Sequence, residues 1–358
     1  MFTPLKRTRR AAAICGALCM AAAALPAAAE GTYHLEKSVT IPGGDSGWDY
    51  NAIDPQHGHI FIAHRQDGLH VYDIKSGKVI KTLAGSSNAN TAALAPEFDR
   101  GIAGTTDGYI IVFKLSTLQT VARYKSATDG FDGATYEPVS KRFAAVGEAD
   151  PATKTTPVLF FDARTGKPAG SVLLHSVKVD APRADGKGNI VMPLRDHGSV
   201  ASIDARTMQA GAVVAVADCA KPAALELDPV NQRIFVGCRG DRASSPRLAV
   251  LDAASGKQVA WVPIGRGVDE VMYDPRGKEV ITANGEDGSM SVIRQLSADA
   301  YQVAETVGTR PMARTGVLDE RSGKIYLVNA QYVRKYRDGE EAQTSFLPNT
   351  FSVLTYSK

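Results

Sequence analysis

From Tyr33 onward the chain alternates short apolar runs with polar turns, and no run carries the 3.6-residue period of an amphipathic helix. Ile60-Phe61-Ile62-Ala63 is followed by Asp67-Gly68, then by Leu69-His70-Val71-Tyr72-Asp73, the Ser76-Gly77-Lys78 turn and Val79-Ile80-Lys81-Thr82-Leu83. Short runs rich in β-branched and aromatic residues, punctuated by Gly, Asp and Ser, predict strands joined by tight hairpins. Asp-Gly returns at Asp107-Gly108 and Asp287-Gly288, and the Gly-Lys turn returns at Thr165-Gly166-Lys167 and Ser255-Gly256-Lys257. In both turns Gly supplies the positive φ that the backbone needs. The pattern predicts four strands per unit and leaves no segment to serve as a crossover helix, which excludes a layered α/β fold.

The unit repeats. A turn signature recurs at Asp54-Pro55, Ala95-Pro96, Glu137-Pro138, Asp185-Gly186, Asp228-Pro229, Asp274-Pro275 and Asp319-Glu320, at spacings of about 41 to 48 residues, the period of propeller blades. Seven marks predict an all-β, seven-bladed β-propeller as one domain over residues 30–358. The last unit offers strands at 315–318, 324–329 and 350–356 and then stops one strand short, while residues 33–41 alternate as a strand should. Pairing this N-terminal segment into the last blade, a three-plus-one closure, would remove an exposed sheet edge.

The succession of Asp-Pro turn, apolar strand, Val-x-Asp strand and Ser/Thr-Gly-Lys turn resembles the YVTN-type β-propeller family, particularly its YncE-like exported members. The segments GGDSGWDY, FVGCRG and GVDEVMYDP add to the resemblance, whereas the second and fourth units lack the Asp-Pro and Gly-Lys signatures. The resemblance covers essentially all of the chain after residue 30. It implies a fold but no single activity, because propellers host many chemistries.

The N-terminus changes the reading of charge. Lys6, Arg7, Arg9 and Arg10 precede an Ala-rich apolar stretch ending in Ala27-Ala28-Ala29, the order of a cleaved secretory signal over residues 1–29. The stretch is shorter than the roughly 20 residues of a membrane span, and no transmembrane anchor is expected. Ile14 before Cys15 and Leu18 before Cys19 disfavour lipoprotein processing, and the Arg9-Arg10 pair lacks the rest of a twin-arginine signal. The expected location is periplasmic or secreted. The formal net charge of +3 includes four basic residues in this segment and no acidic one, so the remainder carries 37 basic against 38 acidic residues, a net −1. Global attraction to a polyanion is thereby excluded, though a local basic patch is not.

In a propeller, the starts of the innermost strands and the loops after the second strands share one face. Five residues before each turn mark stand Asp49, Asn90, Asp132, Asp180, Ala223, Asp269 and Arg314, one per blade. Their common offset predicts a mostly acidic ring at the channel mouth, broken by Ala223 and Arg314. The loops after the second strands add His64, Arg65, Glu148, Arg195, Asp196, His197, Arg239 and Asn284. Such a polar funnel could bind a small ligand or a partner protein, or coordinate Ca²⁺ through carboxylate oxygens. With His64 or His197 it could perform acid–base work. Equally, the polar residues could only cap turns and hydrate the channel, and the His residues show no metal-ligand spacing shared between blades.

Cys219 precedes an inner strand and Cys238 ends the strand expected to pair back against it, so an exported protein should join them in a disulfide. Walker A, dinucleotide-binding, His-Glu-x-x-His and Gly-x-Ser-x-Gly motifs do not occur. The reading these observations favour is a monomeric binding or interaction propeller. Two alternatives remain: a propeller lactonase-type hydrolase using funnel carboxylates and Ca²⁺, and a DNA-binding role implied by the YncE-like resemblance, for which Arg65, Arg195, Arg239 and Arg314 would have to form a basic sector.

Overall fold

The computed structural model describes residues 1–3, 31–44, 46–336 and 342–358. The expected signal segment, with Cys15 and Cys19, lies outside the described residues apart from 1–3. Residues Thr32–Lys358 form one compact unit; of the preceding segment only Met1, Phe2, Thr3 and Gly31 are described, in no regular element.

Seven four-stranded antiparallel sheets succeed one another along the chain. Blade 1 comprises Ala52–Asp54, His59–His64, Gly68–Asp73 and Lys78–Thr82, and blade 2 Ala89–Ala95, Arg100–Thr105, Tyr109–Phe113 and Thr120–Lys125. Blade 3 holds Phe131–Glu137, Arg142–Gly147, Thr156–Asp162 and Pro168–Leu174, and blade 4 Arg183–Ala184, Asn189–Leu194, Ser199–Asp204 and Gln209–Ala215. Blade 5 spans Pro222–Asp228, Arg233–Cys238, Arg247–Asp252 and Gln258–Pro263, and blade 6 Val268–Asp274, Glu279–Asn284, Ser289–Ser297 and Ala300–Gly308. Blade 7 takes Thr315–Asp319, Lys324–Asn329 and Ser352–Ser357 from the C-terminal end, and His34–Thr40 lies antiparallel to Ser352–Ser357 as its outermost strand.

Burial follows from each sheet being covered on both faces by its neighbours. The second strand of blade 1, His59–His64, is buried at every position after the first, so it reads as a continuous apolar run. The outermost strands touch neighbours on one side only, and Ala300–Gly308 alternates exposed and half-buried along its length. Seven apolar clusters result, one between each pair of adjacent blades. Phe61, Leu69 and Phe113 join blades 1 and 2, and Trp48, Ile60, Tyr326 and Val353 join blades 7 and 1.

The turn signatures have a common cause. Asp54, Glu137, Asp185, Asp228, Asp274 and Asp319 each accept a hydrogen bond on a side-chain oxygen from the backbone N–H two residues on, at 2.7–3.1 Å. The acid thus closes the turn that the chain must make after every inner strand. Blade 2 has Ala95 there and makes the turn with the 3₁₀ segment Pro96–Phe98 instead. Gly77, Gly166 and Gly256 sit at φ +67°, +74° and +69° in the Gly-Lys turns.

One element was not visible in the sequence. Tyr332–Lys335 and Gln343–Phe346 pair as a separate two-stranded hairpin inserted between the second and third strands of blade 7. It is anchored where Phe346 meets the fully buried Trp48 at a ring separation of 4.7 Å.

Candidate functional site

The residues at the common offset converge on the channel mouth by a shared backbone device. In blades 2, 3, 5 and 6 the pairing register of the innermost strand slips across that residue: between Ala89 and Thr91, Phe131 and Ala134, Pro222 and Ala224, and Val268 and Glu270. Asn90, Asp132, Ala223 and Asp269 therefore lie in β-bulges, which kink the strand and re-aim a side chain. In blades 1 and 4 the ring residue precedes the strand and is held by one backbone bond, Asp49 N–H to the Ala63 carbonyl and Asp180 N–H to the Pro193 carbonyl, at 3.1 and 3.2 Å.

The mouth is not the electronegative ring that the spacing suggested, because cations from neighbouring loops enter between the acids. Arg65 reaches Asp49 at 3.2 Å and donates from Nε to Asn90 Oδ1 at 3.0 Å. Lys178 contacts Asp132 at 2.5 Å and lies 3.9 Å from Asp180. Arg195 holds Asp180 at 2.6 Å and approaches Asp269 at 3.6 Å. Asp269 also receives Arg239 and, at 3.1 Å, Arg314. Four carboxylates thus meet five cations, and the like-charge repulsion expected of an acidic ring is compensated within the protein.

The network stitches successive blades. Thr315 Oγ1 of blade 7 donates to the Asp49 carbonyl, Tyr50 N–H to the Asn90 carbonyl and Asn90 Nδ2 to the Phe131 carbonyl, all at 3.1 Å. Lys178 links blades 3 and 4, and Arg239 Nε donates to the Val268 carbonyl at 2.9 Å between blades 5 and 6. Blade 5 is the exception: Ala223 offers no polar side chain, and Arg195 passes over it to reach Asp269 of blade 6.

Burial dominates the titration of the acids. It raises Asp180 well above the ordinary carboxylate range despite Arg195, and it raises Asp49 despite Arg314, with Asp132 and Asp269 adding repulsion. Burial works against the charge of Lys178, but Asp132 and Asp180 outweigh it and hold the ammonium pKa above its usual value. Three buried polar atoms at the mouth, Asp180 Oδ2, Arg195 Nε and Arg314 Nε, form no hydrogen bond, although Arg314 Nε lies 3.1 Å from Asp269.

The other residues proposed from sequence divide. Glu148 lines the mouth cavity of 440 Å³ with Asp49, Arg65, Asn90, Asp132 and Lys178. Asn284 is turned into blade 6, where Thr282 Oγ1 donates to its Oδ1 and its Nδ2 donates to Ser291 Oγ. Asp196 fixes its loop by accepting from Ser176 Oγ and Val177 N–H, and His197 stands 3.4 Å from Asp196. His64 is fully buried, stacked on Phe351 at 4.0 Å with His70 Nε2 at 3.3 Å and Asp67 at 3.5 Å. Neither histidine has a ring carboxylate for a partner among the described residues. Nor does any group of three His, Cys, Asp or Glu side chains there come together as a metal ion would require, so the Ca²⁺ expectation finds no residue set. The four arginines considered for a basic sector do gather at the mouth, each engaged with a carboxylate.

Cys219 and Cys238 form a disulfide, with Cα atoms 5.3 Å apart. Sequence reasoning missed Lys178, Lys221, Arg242 and Arg266 at this face. The three cations named from the loops after the second strands, Arg65, Arg195 and Arg239, each follow directly on the last residue of such a strand, His64, Leu194 and Cys238, a position none of the missed four shares. Missed too was Arg183, further along the channel, which contacts Glu270 and holds Glu226 at 3.1 Å beside a cavity of 420 Å³ that also meets Asn51, Asp228 and Glu320.

With seven four-stranded blades around a polar channel, the protein is a seven-bladed β-propeller. No family model matches the chain, and no curated protein matches its sequence. Among solved structures it is similar to that of U3-55K, at a TM-score of 0.71 and 12% identity over 88% of this chain and 98% of that one. It is also similar to the WD40 repeats of RRP9, at a TM-score of 0.72 and 11% identity over 89% and 97% of the two chains. At such identities the likeness is one of fold alone.

Proposed function

We propose that this protein is a binding module that recognises a small ligand or a segment of a partner protein at the channel mouth. The propeller architecture is consistent with a binding or interaction role. The observation that carries the reading is that two of the buried polar atoms without a hydrogen bond at the mouth, Asp180 Oδ2 and Arg195 Nε, belong to one ion pair. Buried polar groups are almost always satisfied, and an orphaned carboxyl oxygen and guanidinium N–H on two paired residues, one of which, Arg195, lines a cavity, suit a ligand that supplies both partners. A hydrolytic role receives less support, since His64 and His197 lie against other partners. The DNA-binding alternative is weakened because the candidate arginines are held by Asp49, Asp180 and Asp269.

Beyond the fold, the Asp-Pro and Gly-Lys repeats support assignment to the YVTN-type, YncE-like exported propellers. The basic-then-apolar N-terminus and the disulfide support action in an oxidising compartment outside the cytoplasm.

A thermal-shift screen of anionic, cationic and neutral metabolites and short peptides against the wild type and Asp180→Asn tests the recognition. The expected result is a ligand that stabilises the wild type and loses its effect in the variant. Ligands that stabilise both proteins equally would place recognition elsewhere.

A further inference from the structure

The mouth network is interrupted at one blade only, and what lies beside the gap differs from the rest. At blade 5, where Ala223 stands in the ring, a cavity of 850 Å³ opens over blades 4 to 6. Arg195, Lys221, Arg239, Arg242 and Arg266 line it, against only two acids, Asp241 and Glu286. Arg266 is answered by Asp287 at 2.8 Å, and Arg195 and Arg239 share Asp269. Lys221 and Arg242 are exposed and form no ion pair among the described residues. Asp241 is committed to its own loop, where one carboxylate oxygen accepts from the N–H groups of Ala243 and Ser244 at 2.8 and 2.9 Å.

The loops that present these cations are built rather than loose. The disulfide joins the segment before blade 5 to the end of its second strand. Directly beyond it, Arg239 N–H donates to the Lys221 carbonyl at 3.1 Å and Gly240 N–H to the Ala220 carbonyl at 2.9 Å. Gly240 sits at φ +75°, where an added Cβ would lie 2.4 Å from the Ser244 carbonyl oxygen, so the loop geometry at Arg239–Arg242 tolerates no side chain there. Ser244 Oγ ties the loop back to the Asp218 carbonyl at 2.9 Å. Two unanswered cations held on a cross-linked frame beside two partly answered guanidinium groups form a preorganised receptor for negative charge, with the forked donors that suit oxyanions.

We propose that this lobe binds a small ligand bearing two or more oxyanion groups, carboxylate or phosphate. The inference rests on the reading of the mouth as a recognition site and names the chemistry of what it takes. Lys221 and Arg242 supply the unpaired charge, and Arg195 and Arg239 orient the oxyanions in the cavity that the four residues line together.

Isothermal titration of the oxidised full-length mature chain with citrate and with inorganic pyrophosphate at low ionic strength tests it, the two probes separating carboxylate from phosphate preference. The expected result is one-to-one binding of at least one probe, weakened at least tenfold in Lys221→Gln/Arg242→Gln and comparably in Arg242→Glu, which lowers the charge of the lobe by the same two units, and falling as salt is raised. The unliganded variants should unfold as the wild type does, since neither side chain has a partner to lose. Anion binding of equal strength in the wild type and the double variant overturns the assignment of the lobe. Failure of both anions, while a cationic or neutral ligand binds the wild type and not Asp180→Asn, overturns the anion inference and leaves recognition at the mouth standing. Failure of every probe overturns both.

Discussion

Replacing both Cys219 and Cys238 with Ala tests the frame on which the basic lobe stands. The two residues are 19 apart in sequence, and closing a loop of that length removes about 3 kcal/mol of chain entropy from the unfolded state in the loop-entropy model. Both are buried, Cys238 fully so, and deleting their sulfurs from the packed cluster with Leu225, Val236 and Leu251 adds on the order of 1 kcal/mol. At the usual entropy of unfolding per residue, a total of about 4 kcal/mol lowers the Tm of a domain this size by roughly 6 °C. Urea unfolding of the oxidised wild type, the reduced wild type and the double Ala variant should show the last two less stable by similar amounts. Their m-values should be larger, because the uncrosslinked unfolded chain exposes more surface. The native strand pairing, Pro222 opposite Cys238, should survive, while citrate or pyrophosphate affinity falls as the Lys221 and Arg239 loops loosen. Unchanged stability together with unchanged anion affinity would refute the view that the bond stabilises the blade and preorganises the lobe.

Two further expectations follow from the charged groups. Burial pushes Glu270 up to about 8 despite Arg183 and raises Asp180 as well, so between pH 6.5 and 8 the folded state retains protons that the unfolded state has lost, and stability should fall as pH rises. Glu270→Gln should flatten that slope by about 1 kcal/mol per pH unit, and urea unfolding at three pH values in the window checks it; a wild-type slope rising with pH would contradict the assignment. In the opposite sense, burial depresses His64 and His70, so their contribution is lost as pH falls below about 6.5, opposing the carboxylates there. Asp269→Asn leaves three arginines without their shared carboxylate and should cost about 3 kcal/mol in chemical unfolding, whereas a stability gain would mean that uncompensated acidic repulsion governs the mouth after all.

The sequence by itself determined the class of fold, because the devices that specify a blade are local. An acid caps the backbone N–H two residues on at Asp54, Asp228, Asp274 and Asp319, and Gly takes positive φ at 77, 166 and 256. These act within a few residues and repeat with the blade. The period therefore revealed seven units, and the common offset revealed which residue of each unit stands at the mouth. The Cys219–Cys238 pairing was legible for the same reason, since both ends belong to one hairpin. What the tertiary structure alone decided is the charge balance of the mouth. Lys178 meets Asp132 across 46 residues, and Arg314 meets Asp269 across 45 residues and a blade boundary. Such partners are set by how neighbouring blades pack and by bulges that re-aim the ring residue, neither of which leaves a linear motif. The hairpin after Asn329 escaped for a related reason: it is a single insertion, and the repeat that announces every blade is silent about an element that occurs once. Coulomb interactions act through space, so an acidic offset in the sequence became, in the folded ring, a compensated network with its unpaired positive charge gathered at the blade where the ring residue is alanine.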